Sequence, residues 1–169
     1  MAKFPLDPLV EVMAKLRGPT GCPWDKEQDH ASLRRYLIEE CYEVIEAIDA
    51  HDMNNLREEL GDLLLQVVFH ARLAEEAGAF DINDVVQGIV KKMIRRHPHV
   101  FGETEVGSSA EVLVNWQEIK KQEKEEAGKK AAILDGVPRG LPALLRAYKI
   151  QGRAARVGFD WPDANGAWE

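Results

Sequence analysis

The sequence lacks the features that mark secreted, membrane-spanning or zinc-binding proteins. Its two cysteines, Cys22 and Cys41, provide neither a disulfide framework nor the four ligands of a structural zinc site. No stretch approaches the roughly 18–20 consecutive apolar residues of a membrane-spanning helix, and the first residues have no apolar signal-peptide segment. We therefore expect a cytoplasmic protein without a membrane partner.

Positive charge is also scarce. The chain carries 22 Lys and Arg against 29 Asp and Glu, which gives a formal net charge of −7. Because nucleic-acid backbones attract basic surfaces, this balance argues against DNA or RNA as the main partner. The apolar fraction of 45% and the length of 169 residues indicate a globular chain of about one domain that can bury a core.

Strand-like alternation is absent as well, and apolar residues recur at helical spacing instead. Start and stop signals, such as Asp7-Pro8 before and Gly18 after the first apolar run, divide the chain into six helical segments. The predicted helices cover residues of about 8–17, 30–49, 54–77, 82–97, 108–127 and 142–156. The sequence thus predicts an all-α fold, an antiparallel helical bundle.

The second and third predicted helices each carry a pair of carboxylates on the edge of an apolar stripe. At about 100° per residue, Glu40 and Glu43 lie on one flank of the stripe in the second helix. Glu59 and Asp62 lie on the same flank in the third. The connection is short, so the helices pack antiparallel and both acidic edges open on one side. The two stripes consist of Leu37, Cys41, Val44 and Ile48, and of Leu56, Leu60, Leu63 and Val67.

Four convergent carboxylates repel one another unless a cation neutralises them. Oxygen ligands favour Mg²⁺ or Mn²⁺ over zinc or copper. Because Mg²⁺ commonly joins carboxylates to phosphate oxygens, the substrate class indicated is a phosphate ester or anhydride. The alternative is an ordinary solvated helix face. Gly61, beside Asp62, favours a close helix–helix approach, since glycine inside a helix costs about 1 kcal/mol relative to alanine.

Basic and aromatic side chains on the later helices are candidates for substrate contacts. Lys92 and Arg96 lie one turn apart near the end of the fourth helix and could bind phosphate. Trp116 and Lys120 have the same spacing on the fifth, a ring for stacking and a charge for phosphate. The alternatives are a favourable interaction of the cations with the helix C-terminus and a place for Trp116 in the core.

The acidic residues also match a known signature. Glu39-Glu40-x-x-Glu43, followed by Glu59-x-x-Asp62, resembles the EExxE…ExxD motif of the all-α nucleoside triphosphate pyrophosphohydrolases. The segments GCPWDKEQ, GDLL and RRHPHVF, which begin at residues 21, 61 and 95, resemble the MazG family in particular. The resemblance extends over nearly the whole chain.

This resemblance implies Mg²⁺-dependent hydrolysis of nucleoside triphosphates to the monophosphate and pyrophosphate, with Mn²⁺ as a substitute, in a homo-oligomer built on dimers. It gives Glu39 and Glu40 a catalytic role, although the helical phase points Glu39 away from the other acids. It assigns as metal ligands Glu40, Glu43, Glu59 and Asp62. The implied substrate-binding residues are Glu39, Glu58, Lys92, Arg96, Trp116 and Lys120.

The resemblance also suggests how the chain is divided. Residues 1–130 would form the MazG-like domain, and 131–169 a helical extension whose last part is similar to the lead-in to a second domain in tandem members. The alternative function is a nucleotide-binding regulatory or dimerisation domain with little or no turnover. The acidic ligands are all present, which favours the enzyme.

Overall fold

A computed structural model describes residues 6–126, 128, 134–161, 163 and 166, and in these residues every regular element is a helix. The all-α prediction is therefore confirmed. The chain divides into two compact units, Met1–Met93 and Ile94–Glu169. The predicted domain boundary near residue 130 lies outside the described residues. The helices are α1 Asp7–Leu16, α2 Pro23–Glu27, α3 Arg34–Asp49, α4 Met53–Glu76, α5 Ile82–Arg96, α6 Pro98–Phe101, α7 Ser109–Glu126 and α8 Ala143–Ala155.

The six predicted helices correspond to the six longer ones, and the largest difference is at the start of α3. Asp29 caps a turn rather than the helix itself, because its carboxylate accepts the backbone N–H groups of Ala31 and Ser32 at 2.8 and 2.7 Å. The short helices α2 and α6 were not predicted. Each has proline near its first position, where the missing N–H costs nothing.

The connection between α3 and α4 is a short, tightly capped turn. His51 adopts a φ of 55° just after α3. Asp52 then accepts the backbone N–H groups of Asn54 and Asn55 at 3.0 and 3.1 Å, which caps α4. The two helices pack along each other. With so short a turn they run antiparallel, which sets their acidic residues on one hairpin.

The core of the first unit lies where α1 packs on α4. Met13, Leu33, Val68 and Phe69 form its buried cluster. The predicted apolar stripes are buried only in part. The prediction is wrong for Cys41, which is exposed, and for Ile48, Leu60 and Val67, which are 50%, 48% and 40% exposed. The buried apolar residues of α4 are instead Val68, Phe69, Ala71 and Ala74, and Val68 and Phe69 belong to the cluster that includes Met13 of α1.

The expected close approach at Gly61 is also absent from the described residues. A Cβ atom placed on Gly61 would meet nothing within 4 Å. The helix neighbours of α4 therefore do not require a glycine there.

Arg17 connects the segment after α1 to α4. Its guanidinium forms a fork with the carboxylate of Glu76, at 3.0 Å from Nε and 2.8 Å from Nη2. It also donates to the backbone carbonyls of Asp25 and Gln28 and lies over the ring of Phe69. The side chain of Arg17 is only 8% exposed. The hydrogen bond from Arg17 lowers the pKa of Glu76. Because the same guanidinium contacts Asp25, Gln28 and Glu76, this nearly buried cation joins the segment around α2 to α4.

The turn that leads into α2 requires glycine at position 21. The N–H of Cys22 donates to the carbonyl of Leu16 at 2.8 Å, which draws the backbone of the turn against the end of α1. A Cβ atom on Gly21 would overlap that same carbonyl oxygen.

We expect Gly21→Ala to lower the free energy of unfolding by about 2 kcal/mol, because the backbone must shift to relieve the overlap. Urea denaturation measures the change. The matched control is Gly88→Ala in α5, where a Cβ meets nothing within 4 Å and stability should rise by about 0.5–1 kcal/mol. Equal stability of Gly21→Ala and the parent chain would contradict the close approach.

Candidate metal and substrate site

Three carboxylates of the α3–α4 hairpin converge. Glu40 and Glu43 extend from α3 and Glu59 from α4, and one carboxylate oxygen of each lies within 4.8 Å of the others. Asp62, one turn after Glu59, is close enough for its charge to act on both Glu40 and Glu59. The structure thus brings together the residues that the helical phase placed on one edge.

This convergence raises the pKa values of two of the carboxyl groups, Glu40 and Glu59. Burial raises the pKa of Glu40, and the charges of Asp62 and Glu43, together with a hydrogen bond to the Glu43 carboxyl, raise it further. Burial likewise raises the pKa of Glu59, with added repulsion from Glu43 and Asp62. Fully ionised, the cluster therefore carries an uncompensated repulsion.

A hard divalent cation fits this donor set. All the donors are carboxylate oxygens, which Mg²⁺ and Mn²⁺ prefer. A cation between them would remove the repulsion that raises the pKa of Glu40 and Glu59. The residues that could hold it are Glu40, Glu43, Glu59 and Asp62.

Two acidic residues of the predicted set stand apart from this group. Glu39 is exposed and makes no hydrogen bond or ion pair with the described part of the chain. Glu58 is exposed too, and its charge contributes to the raised pKa of Glu59. One participant was not predicted: the side chain of Asn55, one turn before Glu59, hydrogen-bonds to it and opposes the rise. Its i, i+4 spacing was the only available signal.

The second unit contains the predicted aromatic and basic residues of α7. The Lys120 ammonium lies 5.2 Å from the centre of the Trp116 ring, and His97 meets that ring edge-on with centroids 5.0 Å apart. The indole N–H of Trp116 is buried and has no hydrogen-bond partner among the described residues. Trp116 and Lys120 thus form one cation–π pair.

The two predicted cations of α5 differ in their surroundings. Lys92 is exposed and makes no hydrogen bond or ion pair with a described residue. Arg96 is 18% exposed and is held by the carboxylate of Glu123. Glu123, which also contacts Arg95, was not predicted, because nothing in the local spacing of the sequence connects α5 to α7.

Among the residues described, none of the helices combines the length and apolar character that crossing a membrane requires.

Comparison with known proteins places these residues in a family. The MazG nucleotide pyrophosphohydrolase domain matches residues 28–101, which include α3, α4 and their carboxylates. The nucleoside triphosphate pyrophosphohydrolase of Escherichia coli (strain K12) is 52% identical over 157 residues, which are 92% of this chain and 59% of that protein. The nucleoside triphosphate pyrophosphohydrolase/pyrophosphatase MazG of Thermotoga maritima is 52% identical over 161 residues, 95% of this chain and 61% of that protein. The chain therefore spans about three fifths of the length of these curated relatives.

A solved structure extends the similarity to the fold. The crystal structure of a mazG-related protein from Thermotoga maritima superposes with a TM-score of 0.58 at 33% sequence identity, covering 68% of this chain and 98% of that one. The match thus includes nearly all of the solved protein. On this evidence the chain belongs to the MazG family, and the resemblance seen in its sequence is confirmed.

Proposed function

We propose that the protein is a nucleoside triphosphate pyrophosphohydrolase that cleaves the bond between the α- and β-phosphates in the presence of Mg²⁺, for which Mn²⁺ can substitute. The observation that supports this most is the convergence of Glu40, Glu43 and Glu59, with carboxylate oxygens within 4.8 Å of one another. The names of the relatives from Escherichia coli and Thermotoga maritima point to the same activity.

Glu40, Glu43, Glu59 and Asp62 would hold the cation. When bound, Mg²⁺ neutralises phosphate oxygens and makes a water molecule more acidic. Glu39 or Glu40 would accept the proton from the water that attacks the α-phosphorus, as the bond to the bridging oxygen of pyrophosphate breaks.

The remaining predicted residues would bind the substrate. Lys92, Arg96 and Lys120 carry the positive charge that binding of the triphosphate needs. Trp116 offers an aromatic ring for the base. Glu39 and Glu58, which are exposed, would accept hydrogen bonds from the nucleoside.

We also propose that the chain assembles as a dimer-based homo-oligomer. The support is a set of large apolar side chains that α3 and α4 leave 40–57% exposed. Apolar surface of this extent commonly marks an interface. The residues are Ile38, Ile45, Ile48, Leu60, Leu64 and Val67.

A product assay tests the proposed reaction. We expect incubation with Mg²⁺ and each of the common ribo- and deoxyribonucleoside triphosphates to release pyrophosphate and a monophosphate, and EDTA to abolish the release. Chromatographic separation of the products identifies the bond that is cleaved. A diphosphate with orthophosphate would refute the cleavage position.

Calorimetry and thermal melting of the same protein distinguish the alternative functions. Nucleotide binding in calorimetry without any product would favour a regulatory nucleotide-binding domain. A melting temperature that responds to neither Mg²⁺ nor nucleotide would favour a structural dimerisation module.

A further inference from the structure

One edge of the Arg96 guanidinium is fully occupied by Glu123. Nε of Arg96 donates to one carboxylate oxygen at 3.1 Å and Nη2 donates to the other at 2.6 Å. The two side chains are only 18% and 15% exposed. Arg95 adds a third contact, with Nη2 2.5 Å from the carboxylate. Such a two-point contact fixes the plane of the guanidinium as well as its position.

The opposite edge of Arg96 is left for another acceptor. A guanidinium has five N–H groups in a rigid plane, and the fork to Glu123 uses one on Nε and one on Nη2. Nη1 and the second N–H of Nη2 have no acceptor among the described residues. Those N–H groups have the spacing that suits two oxygens of a phosphate group.

Glu123 also balances a concentration of positive charge around Lys120. Burial lowers the pKa of Lys120, and the charges of Arg96, Arg156 and Arg153 lower it further. Glu123, one turn after Lys120 on α7, acts in the opposite direction. The carboxylate thus offsets part of the repulsion among these cations.

We propose that Glu123 is a positioning residue for the nucleoside triphosphate: it fixes Arg96 by one edge so that the other edge faces the phosphate oxygens. This inference rests on the proposed function, in which Arg96 binds substrate. Glu123 itself touches no substrate atom in this scheme. Its effect therefore passes through Arg96 and affects substrate binding rather than the chemical step.

Glu123→Gln tests the role, with Glu118→Gln as the matched control. Both residues are on α7, and Glu118 is exposed and makes no hydrogen bond or ion pair with a described residue. We expect Glu123→Gln to raise KM about tenfold with kcat within about twofold, because binding that is equal in ground and transition states affects KM alone. Glu118→Gln should leave both unchanged. An unchanged KM in Glu123→Gln, or a fall in kcat that parallels a lower melting temperature, overturns the proposal.

A double-mutant cycle tests whether the effect passes through Arg96. Arg96→Ala is expected to raise KM by at least as much as Glu123→Gln. Combining the two should add nothing further, since coupled residues are not additive. Full additivity of the two changes would show that Glu123 acts independently of Arg96 and would overturn the proposal.

Binding of inorganic tripolyphosphate separates this inference from the proposed reaction. Calorimetry in the presence of Mg²⁺ needs no turnover, and Glu123→Gln should weaken binding about tenfold while Glu118→Gln does not. If Glu123→Gln weakens tripolyphosphate binding in this way but the parent chain has no hydrolase activity, the positioning role is supported and the proposed hydrolysis is refuted. Normal hydrolysis with equal tripolyphosphate binding by both variants refutes the positioning role alone. A parent chain that does not bind tripolyphosphate overturns it as well.

Discussion

Replacing Glu40 by Gln, or Asp62 by Asn, is expected to reduce nucleotide turnover by more than about 100-fold with the fold intact. Residues that merely support metal ligands typically change affinity or activity by about 10–100-fold, so loss of a ligand should exceed this. Steady-state rates with saturating Mg²⁺ and pyrophosphate detection measure the effect. Glu46→Gln is the control, because Glu46 is an exposed acid of α3 outside the cluster.

The stability of these variants provides a second readout with a defined sign. The pKa of Glu40 is raised in the folded chain by burial and by its acidic neighbours. Its contribution to stability is therefore present below its ordinary pKa of 4.5 and is lost as the pH rises through the folded value.

At neutral pH in EDTA, Glu40→Gln should consequently melt no lower than the parent chain, and its gain in melting temperature on addition of Mg²⁺ should shrink. Full activity in both Glu40→Gln and Asp62→Asn would remove the proposed metal site. A large loss of stability in EDTA would mean that the residues are structural instead.

Arg17→Ala is expected to lower the free energy of unfolding by about 3 kcal/mol, the largest stability effect in the first unit. The change leaves Glu76 without its fork, two backbone carbonyls without their donor, and the Phe69 ring without its cation. Urea denaturation followed by circular dichroism measures the loss. Arg57→Ala is the control, since that exposed arginine of α4 contacts no described side chain.

The pH dependence of stability checks the cause of this effect. The Arg17 fork lowers the pKa of Glu76, and Arg72 lowers it further. The contribution of Glu76 to the free energy of unfolding is therefore present above its ordinary pKa of 4.5. It is lost as the pH falls through the lower pKa that Glu76 has in the folded chain. Removing Arg17 should reduce this acid-dependent loss. An Arg17→Ala chain as stable as Arg57→Ala at pH 7 would show that the anchor is dispensable.

Tertiary packing explains why some predictions were wrong. Ile48, Leu60 and Val67 belong to apolar stripes by their helical phase, and yet they are 40–50% exposed. Periodicity shows which residues share a face but not which face a neighbour covers. That choice depended on α1, which packs on α4 near Val68 and Phe69. For the same reason Gly61 faces open space instead of another helix.

The sequence by itself determined the six longer helices and the common edge of Glu40, Glu43, Glu59 and Asp62. Helical phase is a local property, and a short turn leaves an antiparallel hairpin as the available arrangement. Only the tertiary structure decided which cations are held by carboxylates. Arg17 meets Glu76 across 59 residues and Arg96 meets Glu123 across 27. Such pairs depend on how separate helices come together, and no periodicity in the chain encodes that distance.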